Sequence, residues 1–196
     1  MSVDRQAAER AIADFLRALG QDPALRPELE KTPERVVAAY ADELLAGYGV
    51  DVPQLIAEGS SAEETRPSSI VAVKDIQVTT VCPHHLLPAQ GSALVAYAPG
   101  QRVLGLGTLA RLVEAYARRL TLQEGIAQSV VRALLDHAGA GGAYCEIELR
   151  HGCLSARGPC QVLARAVTVA RGGTFAEHEG AAALTLALGR QAGASP

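Results

Sequence analysis

A chain of 196 residues is long enough to bury a real core and too short for two large lobes, so one domain with a helical appendage is expected. A hydrophobic fraction of 48% against 20% charged residues excludes an intrinsically disordered polymer. The net charge of −3 excludes any general electrostatic case for nucleic acid or an anionic membrane as partner.

No apolar run approaches the length of a membrane span, and no basic segment leads into an apolar one; this reads as a cytoplasmic chain with nothing to cleave. Residues 1–48 read as a helical segment. Ala8, Ile12, Phe15, Leu16 and Leu19 recur at helical spacing, with Gly20 as the stop. Asp22-Pro23 and Arg26-Pro27 interrupt the chain. Thr32 then reads as an N-cap with Pro33 at the first helical position, opening a helix through Val36, Ala39, Tyr40 and Leu44. Residues 49–68 are expected as a linker loop, polar and small from 57 onward, ahead of a domain over 69–196.

In that domain Ile70, Ala72, Lys74, Ile76 and Val78 alternate as a strand, and Ala93 to Tyr97, between Gly91 and Pro99, reads as a second. Residues 108–119 and 122–138 return to helical spacing, and Gly139 to Gly142 end the second helix. Cys145, Ile147 and Leu149 alternate with Tyr144, Glu146, Glu148 and Arg150, which predicts a strand with one wet face. Residues 161–171 read as another strand, followed by a weak Ala/Leu helix. Strands, two helices, then strands predict an α+β fold on an antiparallel sheet.

Cysteine and histidine carry the chemistry. Cys82 stands in Cys82-Pro83-His84-His85 and Cys153 in His151-Gly152-Cys153, with Cys160 close behind. In a reducing compartment, cysteine beside histidine reads as metal or catalysis before disulfide. Cys82 and His85 can reach one ion from a tight turn, and Cys153 follows at the end of a strand. Thiolate with imidazole suits Zn²⁺. Three protein ligands leave a position for water and mark a catalytic site, whereas four close it. Cys160 or His84 could supply the fourth, and spacing leaves that open. His84 and His151, each beside a ligand, are candidates for proton transfer.

Cys82-Pro83-His84-His85-Leu86-Leu87-Pro88 resembles the Cys-Glu-His-His motif of the GTP cyclohydrolase I family. The resemblance continues through Val103-Leu104-Gly105-Leu106, Leu109-Ala110-Arg111-Leu112-Val113-Glu114, Ala117-Arg118-Arg119-Leu120 and Leu122-Gln123-Glu124, and resumes at His151-Gly152-Cys153 and Arg157-Gly158. Upstream, Lys31-Thr32-Pro33-Glu34-Arg35-Val36 is similar to the family's Thr-Pro-x-Arg segment. It implies a tunnelling fold, an antiparallel sheet with two helices packed on one face, behind the N-terminal helical segment. It also implies a toroidal homodecamer with sites at subunit interfaces. Zinc would sit on Cys82, His85 and Cys153 with water in the fourth position. Hydrolysis at C8 of GTP by the zinc-activated water would release formate and lead to 7,8-dihydroneopterin triphosphate. His84 and His151 would shuttle protons, Glu124 with Gln123 would hold the guanine edge, and Arg111, Arg157 and a neighbour's Arg35 would grip phosphate.

The sequence also departs from that family. Pro83 stands for the usual Glu and removes a backbone donor within the metal turn. Gly107-Thr108 stands for the usual Ser-Lys, so a phosphate-contacting charge is missing in a chain whose only lysines are Lys31 and Lys74. Arg165 and Arg171 are extra cations relative to the family. Two alternatives follow: the same zinc chemistry on another purine nucleotide or stopping at the ring-opened product, and a non-catalytic zinc-stabilised scaffold that binds a nucleotide or pterin. Gly105-Leu106-Gly107-Thr108-Leu109-Ala110 satisfies a dinucleotide-binding pattern in isolation, but the charged helical stretch before Glu124 offers no second strand for it.

Overall fold

The computed structural model describes residues 3–62, 69–100 and 102–189. The segment expected as a linker therefore lies outside the described residues at 63–68, as does the end of the chain from 190. Helix α1 (Arg5–Ala18) starts where the Asp4 carboxylate accepts the Ala7 N–H at 3.0 Å. It stops at Gly20, whose φ of +74° allows the Gln21 N–H to reach Leu16 O and the Gly20 N–H to reach Arg17 O. Thr32 is the first residue of α2 (Thr32–Ala38) rather than its cap, and its side chain makes no capping bond. Beyond Ala38 the helix widens into a π-turn over Ala39–Leu44, in which the Leu45 N–H bonds Tyr40 O at 2.9 Å.

Next the chain docks on the main domain. Gly47 donates its N–H to Arg118 O at 3.0 Å, and a Cβ there would fall 2.3 Å from Ala115 O, so only glycine fits the approach. The stretch expected as loop holds α3 (Val52–Glu58), whose Val52, Leu55 and Ile56 are buried in the main core, and β1 (Ser60–Ala62). Their small polar residues disguised them: tertiary pairing of β1 with β4 (Arg102–Leu104) holds the strand, not local propensity.

Strands β2 (Val71–Val81), β3 (Pro88–Ala98), β5 (Gly142–His151) and β6 (Ala166–Gly173) form one antiparallel sheet in the order β2-β3-β5-β6. Every neighbour pair is antiparallel, so the sheet contains no βαβ unit of the kind a dinucleotide fold requires. Helices α4 (Leu106–Ala117) and α5 (Gln123–Asp136) cover one face, where Val95, Tyr97, Ile147 and Leu149 meet Leu109, Leu112, Ile126, Val130 and Leu134. Truncating one such buried aliphatic to alanine costs about 2–5 kcal/mol. Antiparallel sheet with two helices on one face, behind an N-terminal helical segment, is the architecture the sequence led one to expect.

Two further expectations change. Residues 161–165 form turns, with the Gln161 N–H on Leu154 O, so β6 starts only at Ala166. Tyr144, assigned to the wet face of β5, is buried with Ala96, Phe175, Leu184 and Leu188, because α7 (His178–Ala187) folds over that end of the outer face. Among the described residues no helix is long and apolar enough to cross a membrane.

Candidate metal centre and active site

Val81 pairs with Pro88, so residues 82–87 are the hairpin connection between β2 and β3. Two backbone bonds shape it: the Cys82 N–H donates to Leu87 O and the Leu86 N–H to Cys82 O, each at 2.9 Å. Neither needs an N–H from position 83, which is why proline is tolerated there. Leu86 lies in the left-handed region at φ +54°, a conformation costing a non-glycine residue about 1–2 kcal/mol. Its carbonyl accepts a hydrogen bond from the Tyr40 hydroxyl at 2.6 Å.

The other half of the site comes from β5. Ala89, just after the turn, pairs with His151, the last residue of β5, and this register carries Cys153 in α6 (Gly152–Ser155) to the turn. One donor atom each from Cys82, His85 and Cys153 lies within 4.8 Å of the others. Two sulfurs and an imidazole at that spacing fit Zn²⁺, and three protein donors leave a tetrahedral ion one further position. Cys82 is buried, Cys153 half-buried and His85 exposed. Burial and the neighbouring Cys82 raise the Cys153 thiol above its ordinary value, while Arg157 pulls it down. Neither proposed fourth ligand belongs to the trio, and Cys160 is exposed. Cys145 is a core residue, its thiol pushed up to about 12 by burial and then by Glu146.

His84 stands beside Cys82, and His151 precedes Cys153 by two residues in the chain. His84 Nδ1 and His85 Nδ1 are each 3.9 Å from Cys82 Sγ. His151 Nε2 lies 2.8 Å from Gln123 Oε1. Gln123 is 4% exposed, and its amide nitrogen donates to Ile147 O at 2.8 Å and Ala166 O at 3.0 Å. Those two carbonyls fix which end of the amide is oxygen, so His151 must donate from Nε2 and keep its Nδ1 lone pair free when neutral. Gln123 was expected at the guanine edge beside Glu124. In this structure its side-chain amide is engaged by Ile147 O, Ala166 O and the His151 imidazole.

Glu124 is exposed in the first turn of α5, where the helix dipole favours a carboxylate. Arg157 is exposed, and close enough to Cys153 for its charge to be felt there. Arg35 is exposed on α2, and Arg111 lines a separate cavity of about 400 Å³ with Asp42, Glu43 and Glu114, so one chain does not bring Arg111 to the donors. Arg165 is paired with Glu148. Thr108 is 7% exposed and its hydroxyl donates to Gly59 O at 3.2 Å, so this side chain ties the end of α3 to the start of α4. Sequence reasoning missed Tyr40, whose spacing marks it only as one more apolar helix position.

A soft-donor trio at the strand ends of an antiparallel α+β sheet is an arrangement that could hold a metal ion. The GTP cyclohydrolase I family model matches residues 8–189, and the chain belongs to this family of hydrolases. It is 40% identical over 186 residues to "GTP cyclohydrolase 1" of Leifsonia xyli, covering 95% of this chain and 96% of that one. It is 41% identical over 189 residues to the protein of the same name from Halalkalibacterium halodurans, covering 95% and 97%. A solved archaeosine synthase QueF-Like in the apo form is 19% identical, with a TM-score of 0.46 over 56% of this chain and 97% of that one; at that distance it carries no argument.

Proposed function

We propose that the chain hydrolyses GTP, releasing C8 as formate and yielding 7,8-dihydroneopterin triphosphate. The observation that carries this is the convergence of Cys82, His85 and Cys153 within 4.8 Å, beside His84 and His151, in a member of this family. These three residues would hold a zinc ion, which when bound supplies Lewis-acid activation of water near neutral pH. His151, oriented by Gln123, moves protons at Nδ1, and His84 serves as a second proton carrier. Glu124 accepts N–H bonds from the guanine edge, and Arg157 offers a guanidinium to phosphate. Arg111 and Arg35 would reach phosphate from a neighbouring copy.

Assembly as a homodecamer belongs to the same proposal; the outer edges of β2, apart from the bridge of Val81 to Leu120, and of β6 are open to a neighbouring copy among the described residues. Four free thiols suit the reducing cytoplasm. The test is incubation of zinc-loaded protein with GTP, followed by measurement of formate and of a fluorescent pterin after oxidation. Both are expected, and neither appearing would refute the proposal. A second reading, with another purine nucleotide or the ring-opened compound as end point, draws on buried, neutral Thr108 at the start of α4. Formate without pterin, or a faster reaction with a purine nucleotide lacking the triphosphate, would select it.

A further inference from the structure

Leu86 poses a physical question. It is a bulky residue at φ +54° whose side chain is 51% exposed, so packing of that side chain does not hold the conformation. Three hydrogen bonds do. Two are the local backbone bonds of the turn, and the third spans 46 positions, from the Tyr40 hydroxyl to Leu86 O at 2.6 Å.

We infer that Tyr40 is a positioning residue for the metal turn, holding the strained Leu86 peptide so that the adjacent His85 imidazole stays with Cys82 and Cys153. This rests on the reading of those three residues as metal ligands. Residue 86 follows His85 directly, and its carbonyl is the acceptor that a local backbone rearrangement would carry away from Tyr40. Such a rearrangement would relieve the left-handed conformation and swing the His85 side chain off the trio. The Tyr40 hydroxyl opposes it with a short bond from a segment that the Gly47 N–H then ties to Arg118 O of the main domain. The π-turn begins beside Tyr40 and contributes the bond from the Leu45 N–H to Tyr40 O. Tyr40, Leu86 and His85 also line one cavity of about 730 Å³ together with Ile12, Phe15 and Val36, so the N-terminal helices and the metal turn share a wall. Burial raises the Tyr40 phenol above its ordinary value, which keeps it a proton donor at any working pH. The N-terminal helical segment is thereby a strut for the site.

The experiment measures zinc affinity by chelator competition in the full chain, for the parent and for Tyr40→Phe, each with and without Leu86→Gly. Tyr40→Phe is expected to weaken zinc binding about tenfold, as loss of an outer partner of a metal site does. Its melting temperature is expected to move by only about 2–4 °C. Glycine adopts the left-handed conformation freely, so in the Leu86→Gly background the same change is expected to cost less than about threefold. Equal zinc affinity of Tyr40→Phe and a zinc-binding parent overturns this inference alone, as does an undiminished loss in the glycine background. A parent that takes up no zinc overturns the metal reading and this inference with it.

Discussion

His151 and Cys153 stand at the end of β5, a central strand paired on both sides, whereas Cys82 and His85 hang from a hairpin turn that contains a strained leucine. On the strand side, orientation is fixed by a buried glutamine that satisfies two backbone carbonyls and one imidazole. On the turn side, it rests on local bonds and one tyrosine reaching in from the N-terminal segment. On the proposed reading, the proton carrier His151 therefore stands on the rigid half. His85, the exposed member of the donor trio, sits on the half that needs outside support.

The bluntest way to break this comparison is to remove the sulfur that joins the halves. Cys153→Ala is expected to abolish both zinc retention, read by metal analysis, and formate release from GTP. Zinc retained at one per chain in that variant would show that Cys153 is no ligand. A sharper cut touches the strand side alone: Gln123→Leu should lower turnover about 10²-fold while zinc stays bound. It should also cost about 1–3 kcal/mol in urea unfolding, because Ile147 O, Ala166 O and the His151 N–H lose their partner. If KM rises with turnover unchanged, Gln123 touches the purine after all.

Two smaller effects sharpen the picture of the scaffold. Thr108→Lys is expected to destabilise by about 1–3 kcal/mol, because its chain must displace the Gly59 segment, where Thr108 Oγ1 already lies 2.1 Å from an added Cβ position. Full stability with tighter GTP binding would show that this position faces the nucleotide. The smallest effect concerns pH. The Cys145 thiol is neutral in the fold and its value is raised from 9.0 to about 12. Above pH 9 the unfolded chain therefore loses a proton that the folded chain keeps. Stability should fall with rising pH, by at most about 1.4 kcal/mol per pH unit, up to about pH 12. Comparing urea midpoints at pH 8 and pH 10 checks this, and Cys145→Ala should flatten the slope.

The sheet, its two covering helices and the donor trio were legible in the sequence, because alternation, helical spacing and the paired motifs at residues 82–85 and 151–153 are local signals. The rest depends on partners that no local pattern names. Gln123 reads as a polar residue at a helix start, and only the carbonyls of β5 and β6 beneath it show what its amide does. Tyr144 alternates correctly with Cys145, yet α7 returns to cover it. Helix α3 and strand β1 hide in a polar stretch because β4 and the core supply their stability. Arg111 matches a motif, and its place in a cavity lined by none of the trio appears only in three dimensions.

The π-turn at Ala39–Leu44 carries one fixed attachment, Tyr40 on the hairpin, and a second, Gly47 on the end of α4, follows it closely. Relative to a regular helix it amounts to one inserted residue. Loss of that single residue would be absorbed by return to a regular helix, whereas any further change of length between the attachments would rotate one contact by about 100° relative to the other. A half-exposed helical stretch, the kind that ordinarily tolerates changes of length, is thus held to within one residue. Among relatives, larger length variation in the N-terminal segment should fall before Tyr40 or after Gly47.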